Sequence, residues 1–234
     1  MDALNMKNEQ EAGSIAYRIK LSAMKLFSLY GYGSTTVRMI AQEAGISPGQ
    51  ITVHFGSKEE LFGNIIQDII EISNAAARPI IEKREQYLQE GHYTKELAWE
   101  LIHKLVGDLI DYCFVPYNRM CIMMLNIELP NSKIVDNARQ TVQKTILAQQ
   151  EILLAQLLQD YSEKKGSLEC RVISRAVNGA IVSFAEHKEF LMTELYAAED
   201  STTLMKSKEY LENLVLNGLQ MIDNMKDYVN EEKR

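Results

Sequence analysis

Residues 45–61 read GISPGQITVHFGSKEEL. Whether Ile51, Thr52 and Val53 in the middle of this stretch form a strand or a helix settles what kind of protein this is. The β-branched run alone favours an extended segment, but its flanks favour helices. Ser47 followed by Pro48 matches an N-cap and a first helical residue, because proline lacks an amide hydrogen that the first turn leaves unpaired anyway. Ser57, Lys58, Glu59 and Glu60 form a capping box just before Leu61 and Phe62, so another helix opens there and about two turns remain for the one before it.

Upstream, Ile15, Ile19, Ala23, Leu26, Phe27 and Tyr30 recur at helical spacing and stop at Gly31 and Gly33, where a missing Cβ allows a left-handed exit. Ser34, Thr35 and Thr36 offer hydroxyl caps for a short second helix carrying Val37, Ile40, Ala41 and Ala44, which Gly45 closes. Ala41, Gly45 and Ile51 then supply a small residue at a helix crossing, a glycine in the turn and an apolar anchor from the next helix, as a helix-turn-helix requires. Packing of that motif on the first helix overrides the weak β preference, and the quoted stretch is expected to be helical.

The run IKLSAMKLFSLYGYGSTTVRMIAQEAGISPGQITVHFGSKEEL, Ile19 to Leu61, resembles the TetR family of bacterial transcriptional regulators. Its LF, GY, TTV, IA, AGIS, HF and SKEEL elements stand in the family's order and spacing, over roughly a fifth of the chain. The resemblance implies a homodimeric, all-α DNA-binding regulator whose larger C-terminal domain binds a small effector and dimerises through its last two helices. It also implies repression as the commonest mode of action. Members often carry aromatic residues where this chain has Thr52 and Val53, and a polar or basic residue where it has Pro48.

A two-turn helix can lay its outward side chains in a major groove about 12 Å wide. Gly49, Gln50, Thr52 and Val53 are expected outward, with Ile51 and Phe55 turned into the core. Gln50 is the candidate for a bidentate contact to adenine, Thr52 can offer a hydroxyl to a phosphate, and Val53 can meet a thymine methyl. Thr36, Ser47, His54 and Lys58 are candidates for phosphates, and Arg38 lies outward on the second helix. Ser47 is equally explicable as a cap, His54 as a brace for the third helix, and Lys58 as a surface charge.

The totals support this division of labour. The 234 residues include only 4 Pro and 12 Gly and are 46% hydrophobic, which predicts an all-α chain with a substantial core. The net charge of −7 looks wrong for a nucleic-acid binder, but charge acts locally. From Ser14 to Lys58, five cations face one carboxylate, an excess of +4 that leaves −11 on the remainder. Cys113, Cys121 and Cys170 have neither the parity of a disulfide frame nor the spacing of a zinc site. No export signal or apolar span is evident, so the chain is expected to be cytoplasmic.

The expected boundary falls at residue 60, with a helix-turn-helix domain over 1–60 and an effector-binding and dimerisation domain over 61–234. Pro79 is expected to break or kink the helix that starts near Leu61. Further breaks are expected at Glu90-Gly91-His92, Val115-Pro116, Leu129-Pro130-Asn131, Lys165-Gly166-Ser167 and Glu199-Asp200-Ser201, giving about nine or ten helices. Trp99, Tyr112, Met120, Met123, Met124 and Phe184 are candidates for an apolar effector pocket, since thioether and aromatic side chains adapt to irregular apolar shapes. Val172 to Leu191 and Tyr210 to Tyr228 mix small and large residues as closely packed dimer helices do. Two competing classes remain. Glu100 and His103 have the Glu-x-x-His spacing of a metal-binding helical enzyme, but without a second copy; a helical adaptor would not need the basic N-terminal segment. No cofactor motif is evident.

Overall fold

A computed structural model describes residues 14–126, 132–162, 166–186 and 201–224. Among these residues the regular structure is helical throughout. The helices are α1 Ile15–Ser34, α2 Val37–Ala44, α3 Pro48–Phe55, α4 Lys58–Gln89, α5 Lys95–Phe114, α6 Pro116–Asn126, α7 Lys133–Val142, α8 Ala148–Tyr161, α9 Ser167–Glu186 and α10 Ser201–Asn224, with a π turn, Gln143–Leu147, joining α7 to α8. The expected breaks at Gly91 and at Val115 are present. Those at 129–131, and the chain beyond Glu186 up to Ser201, lie outside the described residues, as does the end of the second expected dimer helix.

Local signals place the first four helices. The Ser14 hydroxyl caps α1 by accepting from the Tyr17 amide at 3.0 Å. Helical geometry stops at Gly31, whose φ of 79° is a conformation that side-chain-bearing residues avoid. The Thr36 hydroxyl accepts from the Met39 amide and starts α2. Gly45, at φ 65° and ψ 39°, ends it, and the Ile46 amide reaches back to the Ala41 carbonyl at 3.0 Å, a Schellman closure. Ser47 is extended ahead of Pro48, and α3 follows. The Ser57 hydroxyl accepts from the Glu60 amide at 3.1 Å and donates to the Glu60 carboxylate at 3.2 Å, so Ser57 caps α4; the other half of the expected capping box is not made, because the Ser57 amide donates to the Phe55 carbonyl at 2.9 Å.

The chain divides into two compact units. The first holds the described residues of Met1–Pro79 and Phe114–Gln149. The opening turns of α4 belong to its core. Leu61, Phe62, Ile65, Ile66 and Ile69 are buried, as are Ile19, Met24, Phe27, Ile40, Ala41 and Ile51. Phe27, Tyr32 and Phe62 form a ring cluster with centroids 5.0 to 5.7 Å apart. Helix α6 packs along α1, and Arg139 of α7 donates to the Leu125 carbonyl at 3.0 Å.

The second unit holds the described residues of Ile80–Cys113 and Gln150–Arg234. Its core is lined by Ile102, Val106, Ile110, Leu154, Leu157, Cys170 and Ile181. Arg84 grips Asp160 with two hydrogen bonds, at 2.6 and 3.1 Å, and the Tyr93 hydroxyl joins them at 3.0 Å. Helix α4 passes through Pro79 without ending, because the proline stands on an exposed position and the apolar spacing resumes at buried Ile80. Cys113 and Cys170 are buried and form no disulfide.

The ring cluster carries much of the first unit's burial. Phe62→Ala is expected to destabilise that unit by about 3–5 kcal/mol, read as a lower urea midpoint with loss of helical circular dichroism.

Candidate nucleic-acid interface

Helix α3 has two faces. Ile51 is 1% exposed and fixes the helix on the core, with Phe55 half-buried beside it. Gly49, Thr52, Val53 and His54 face outward, and Val53 is 82% exposed. Thr36, Arg38 and Ser47 are also exposed, so the expected contact set stands on one short helix and on the starts of α2 and α3.

Two of those residues are placed differently from expectation. Gln50 is half-buried, and its side-chain oxygen accepts the Ser47 amide hydrogen at 3.2 Å, so the group assigned to adenine closes the first turn of α3. The signal was present as Ser47-x-x-Gln50, the same Ser-x-x-Glu/Gln pattern as at Ser57 and Glu60. Lys58 turns inward: its ammonium donates to the Tyr32 and Thr35 carbonyls, each at 2.8 Å, and stands 4.1 Å from the centre of the Tyr32 ring. Burial pushes its pKa below the ordinary lysine value. Its position in the first turn of α4, poor for a cation beside that helix's own positive end, is compensated by the negative end of α1.

Charge pairing also changes the count of available cations. Lys25 is bound to Glu43 at 2.6 Å, which raises its pKa through the hydrogen bond and the carboxylate charge. Lys20 is bound to Asp68 at 2.5 Å. With Lys58 also engaged, Arg18 and Arg38 are the remaining exposed cations between Ser14 and Lys58. Arg18 was not among the expected contacts, and only its outward position marks it.

The six expected pocket residues fall three to each unit: Trp99, Tyr112 and Phe184 in one, and Met120, Met123 and Met124 in the other. Met124 is buried and the other five are half-buried. Trp99 packs on Tyr161, with centroids 4.7 Å apart, and edge-on to His103 at 5.0 Å. His103, the metal candidate, is thus an aromatic neighbour, and among the described residues no three His, Cys, Asp or Glu side chains gather as a metal site would need. Nor is any described helix long and apolar enough to cross a membrane.

Residues 21–65 match the family model described as bacterial regulatory proteins, tetR family. This N-terminal segment is therefore similar to the TetR family of regulators. The matched segment runs from within α1, through the helix-turn-helix, to the opening turns of α4. Among curated TetR-like relatives, the chain is 31% identical over 108 residues to the HTH-type transcriptional dual regulator CecR of Shigella flexneri, covering 46% of each chain. It is 41% identical over 59 residues to the regulator AcrR of the same organism, covering 25% of this chain and 27% of that one. The chain thus spans about half the length of the first relative and about a quarter of the second. Both are HTH-type transcriptional regulators. The fatty acid degradation regulator FadR from Bacillus halodurans shares the fold at a TM-score of 0.56, with 21% identity, over 88% of this chain and 97% of that one. FadR from Bacillus subtilis, solved in complex with stearoyl-CoA, gives 0.53 with 19% identity over 86% and 96%.

The pairing of three lysines lowers the expected salt sensitivity of DNA binding. Each neutralised phosphate contributes a log–log slope of about −0.9, so two free cations give about −2 per subunit rather than about −4. Arg38→Ala is expected to flatten the wild-type slope by about 0.9, as measured by fluorescence anisotropy of labelled duplex over a salt series.

Proposed function

We propose that this TetR-like chain is a homodimeric repressor that binds a palindromic DNA operator through α3 and is released by a small apolar or amphipathic effector. The observation that carries the DNA-binding part is the outward face of α3. Gly49, Thr52, Val53 and His54 are presented to solvent by a helix whose opposite side is locked by Ile51. Thr36, Arg38 and Ser47 flank it as contacts to the sugar–phosphate backbone, which fix position, while Thr52 and Val53 meet base edges. Gln50 joins them only by leaving its cap.

Dimerisation is supported by apolar surface in the second unit. On α9, Leu168 and Val172 are exposed and continue at four-residue spacing through Ala176 and Ala180, with Gly179 alongside. On α10, Met205, Tyr210 and Leu214 are 70 to 72% exposed. A soluble protein rarely leaves such stripes uncovered, and two copies meeting on them would present two α3 helices to successive major grooves about 34 Å apart. An effector acts by preferring the state that fits DNA poorly, and DNA must then weaken effector binding by the same factor. The structural neighbour that carries stearoyl-CoA supports putting long-chain acyl thioesters first among ligands to try.

Selection of bound sequences from random duplex DNA is expected to return a palindrome, and a ligand panel headed by stearoyl-CoA is expected to contain a compound that releases it. Failure to enrich any inverted repeat contradicts the operator reading, and unchanged binding with every pocket ligand contradicts the effector reading. In the same selection, Gln50→Glu is expected to return the wild-type consensus, since a carboxylate keeps the acceptor that caps Ser47. A consensus shifted from adenine to cytosine would instead make Gln50 a base reader.

A further inference from the structure

We propose that Lys58 is a positioning residue: its ammonium ties the entry of the helix-turn-helix to its exit and so sets the pose of α3. The inference rests on the reading of α3 as the DNA-contacting helix.

The geometry is that of a clip. The motif proper begins at Thr36, the cap of α2, and ends at Phe55, the last residue of α3. The Thr35 carbonyl, immediately before the entry, and the Tyr32 carbonyl, one turn earlier, both accept from Lys58, which opens α4 just after the exit. Only Gly56 and Ser57 separate Phe55 from Lys58, and both are held: the Gly56 amide donates to the Thr52 carbonyl at 2.9 Å, and Ser57 caps α4. One cation therefore closes a ring that contains α2, the turn and α3. The last carbonyls of a helix have no partner within it, so the ammonium supplies donors where donors are missing.

The clip does not stand alone. Thr35 is fully buried, and its hydroxyl donates to the Gly31 carbonyl at 2.8 Å, fixing the strand of backbone that Lys58 grips. Ten residues along α4, about 15 Å on, Asp68 takes the ammonium of Lys20 from α1. Helix α4 is thus tied to α1 at two points, and any displacement of its opening turns carries the helix-turn-helix with it. A lysine turned out to a phosphate would release both carbonyls and the Tyr32 ring, leaving the Lys20–Asp68 pair and the packing of Phe62 on Phe27 and Tyr32 to hold α4 on α1.

The test uses the full-length protein with Lys58→Met, which keeps an apolar stem to lie on Tyr32 but has no charge or donor, and Lys58→Arg, which keeps both. Affinity for the selected operator and for a duplex of unrelated sequence is measured over a salt series at a temperature where circular dichroism reports each variant folded. The expected result is about tenfold weaker operator binding by Lys58→Met with an unchanged salt slope, and recovery in Lys58→Arg. A slope flattened by about 0.9 per subunit would make Lys58 a phosphate contact and overturn the proposal. Undiminished affinity in folded Lys58→Met would overturn it as well. A second measurement needs no variant: the acetylation rate of Lys58 by an amine reagent is expected to be the same with and without DNA, and protection that appears only with DNA would refute the clip. Failure of the DNA reading itself is distinguishable, because wild-type protein would then bind neither duplex with any salt dependence.

Discussion

The ring of Tyr32 is the contact on which the N-terminal unit depends. It meets Phe27 on one side and Phe62 on another, and it lies under the ammonium of Lys58. These three partners come from α1 and α4, so one buried tyrosine between two glycines joins the helix that precedes the helix-turn-helix to the helix that follows it. Helices α2 and α3 have eight residues each, too few to be stable alone. They persist because Ile40, Ala41 and Ile51 lock onto a platform that the aromatic cluster holds together. Burial keeps Tyr32 in its neutral form, its pKa pushed up by desolvation and by the nearby Glu59, and the neutral ring remains a face for a cation.

Most of the helix boundaries could be read in advance because their causes are local. Caps at Thr36 and Ser57, the turn at Gly45 and the proline start of α3 each involve residues no more than about five apart, and the structure has all of them. The helical reading of Ile51, Thr52 and Val53 succeeded for a tertiary reason that leaves a local trace, the small Ala41 facing the anchor Ile51. The destinations of long polar side chains were not legible. Lys58 finds its carbonyls 23 and 26 residues back, and Lys20 finds Asp68 48 residues on, distances over which sequence alone gives no register. Gln50 has a local alternative to a base contact, the Ser-x-x-Gln cap on Ser47, and the structure shows it in that cap. At Pro79 the tertiary pattern outweighs the local signal: on an exposed position a proline removes one hydrogen bond without ending a helix whose buried spacing continues beyond it.

The charge distribution has the same lesson at larger scale. An acidic chain with a basic N-terminal segment suggests a strongly electrostatic grip on DNA, yet much of that basic charge is turned to internal work, on Glu43, on Asp68 and on two carbonyls. The lysines are engaged within the N-terminal unit, and the outward-facing groups of α3 are a glycine, a threonine hydroxyl, the Val53 side chain and the His54 imidazole. Shape and fit would then carry a larger share of recognition than charge, consistent with a body whose own excess is negative.

Gly49 sits in the first turn of α3, exposed, and a Cβ placed there would meet no atom within 4 Å. Any small side chain could therefore be installed at this site without disturbing a single packed neighbour, while altering the surface offered to a partner. Gly49 is thus a seat where a new side chain would change what α3 offers to a partner while every packed neighbour keeps its place.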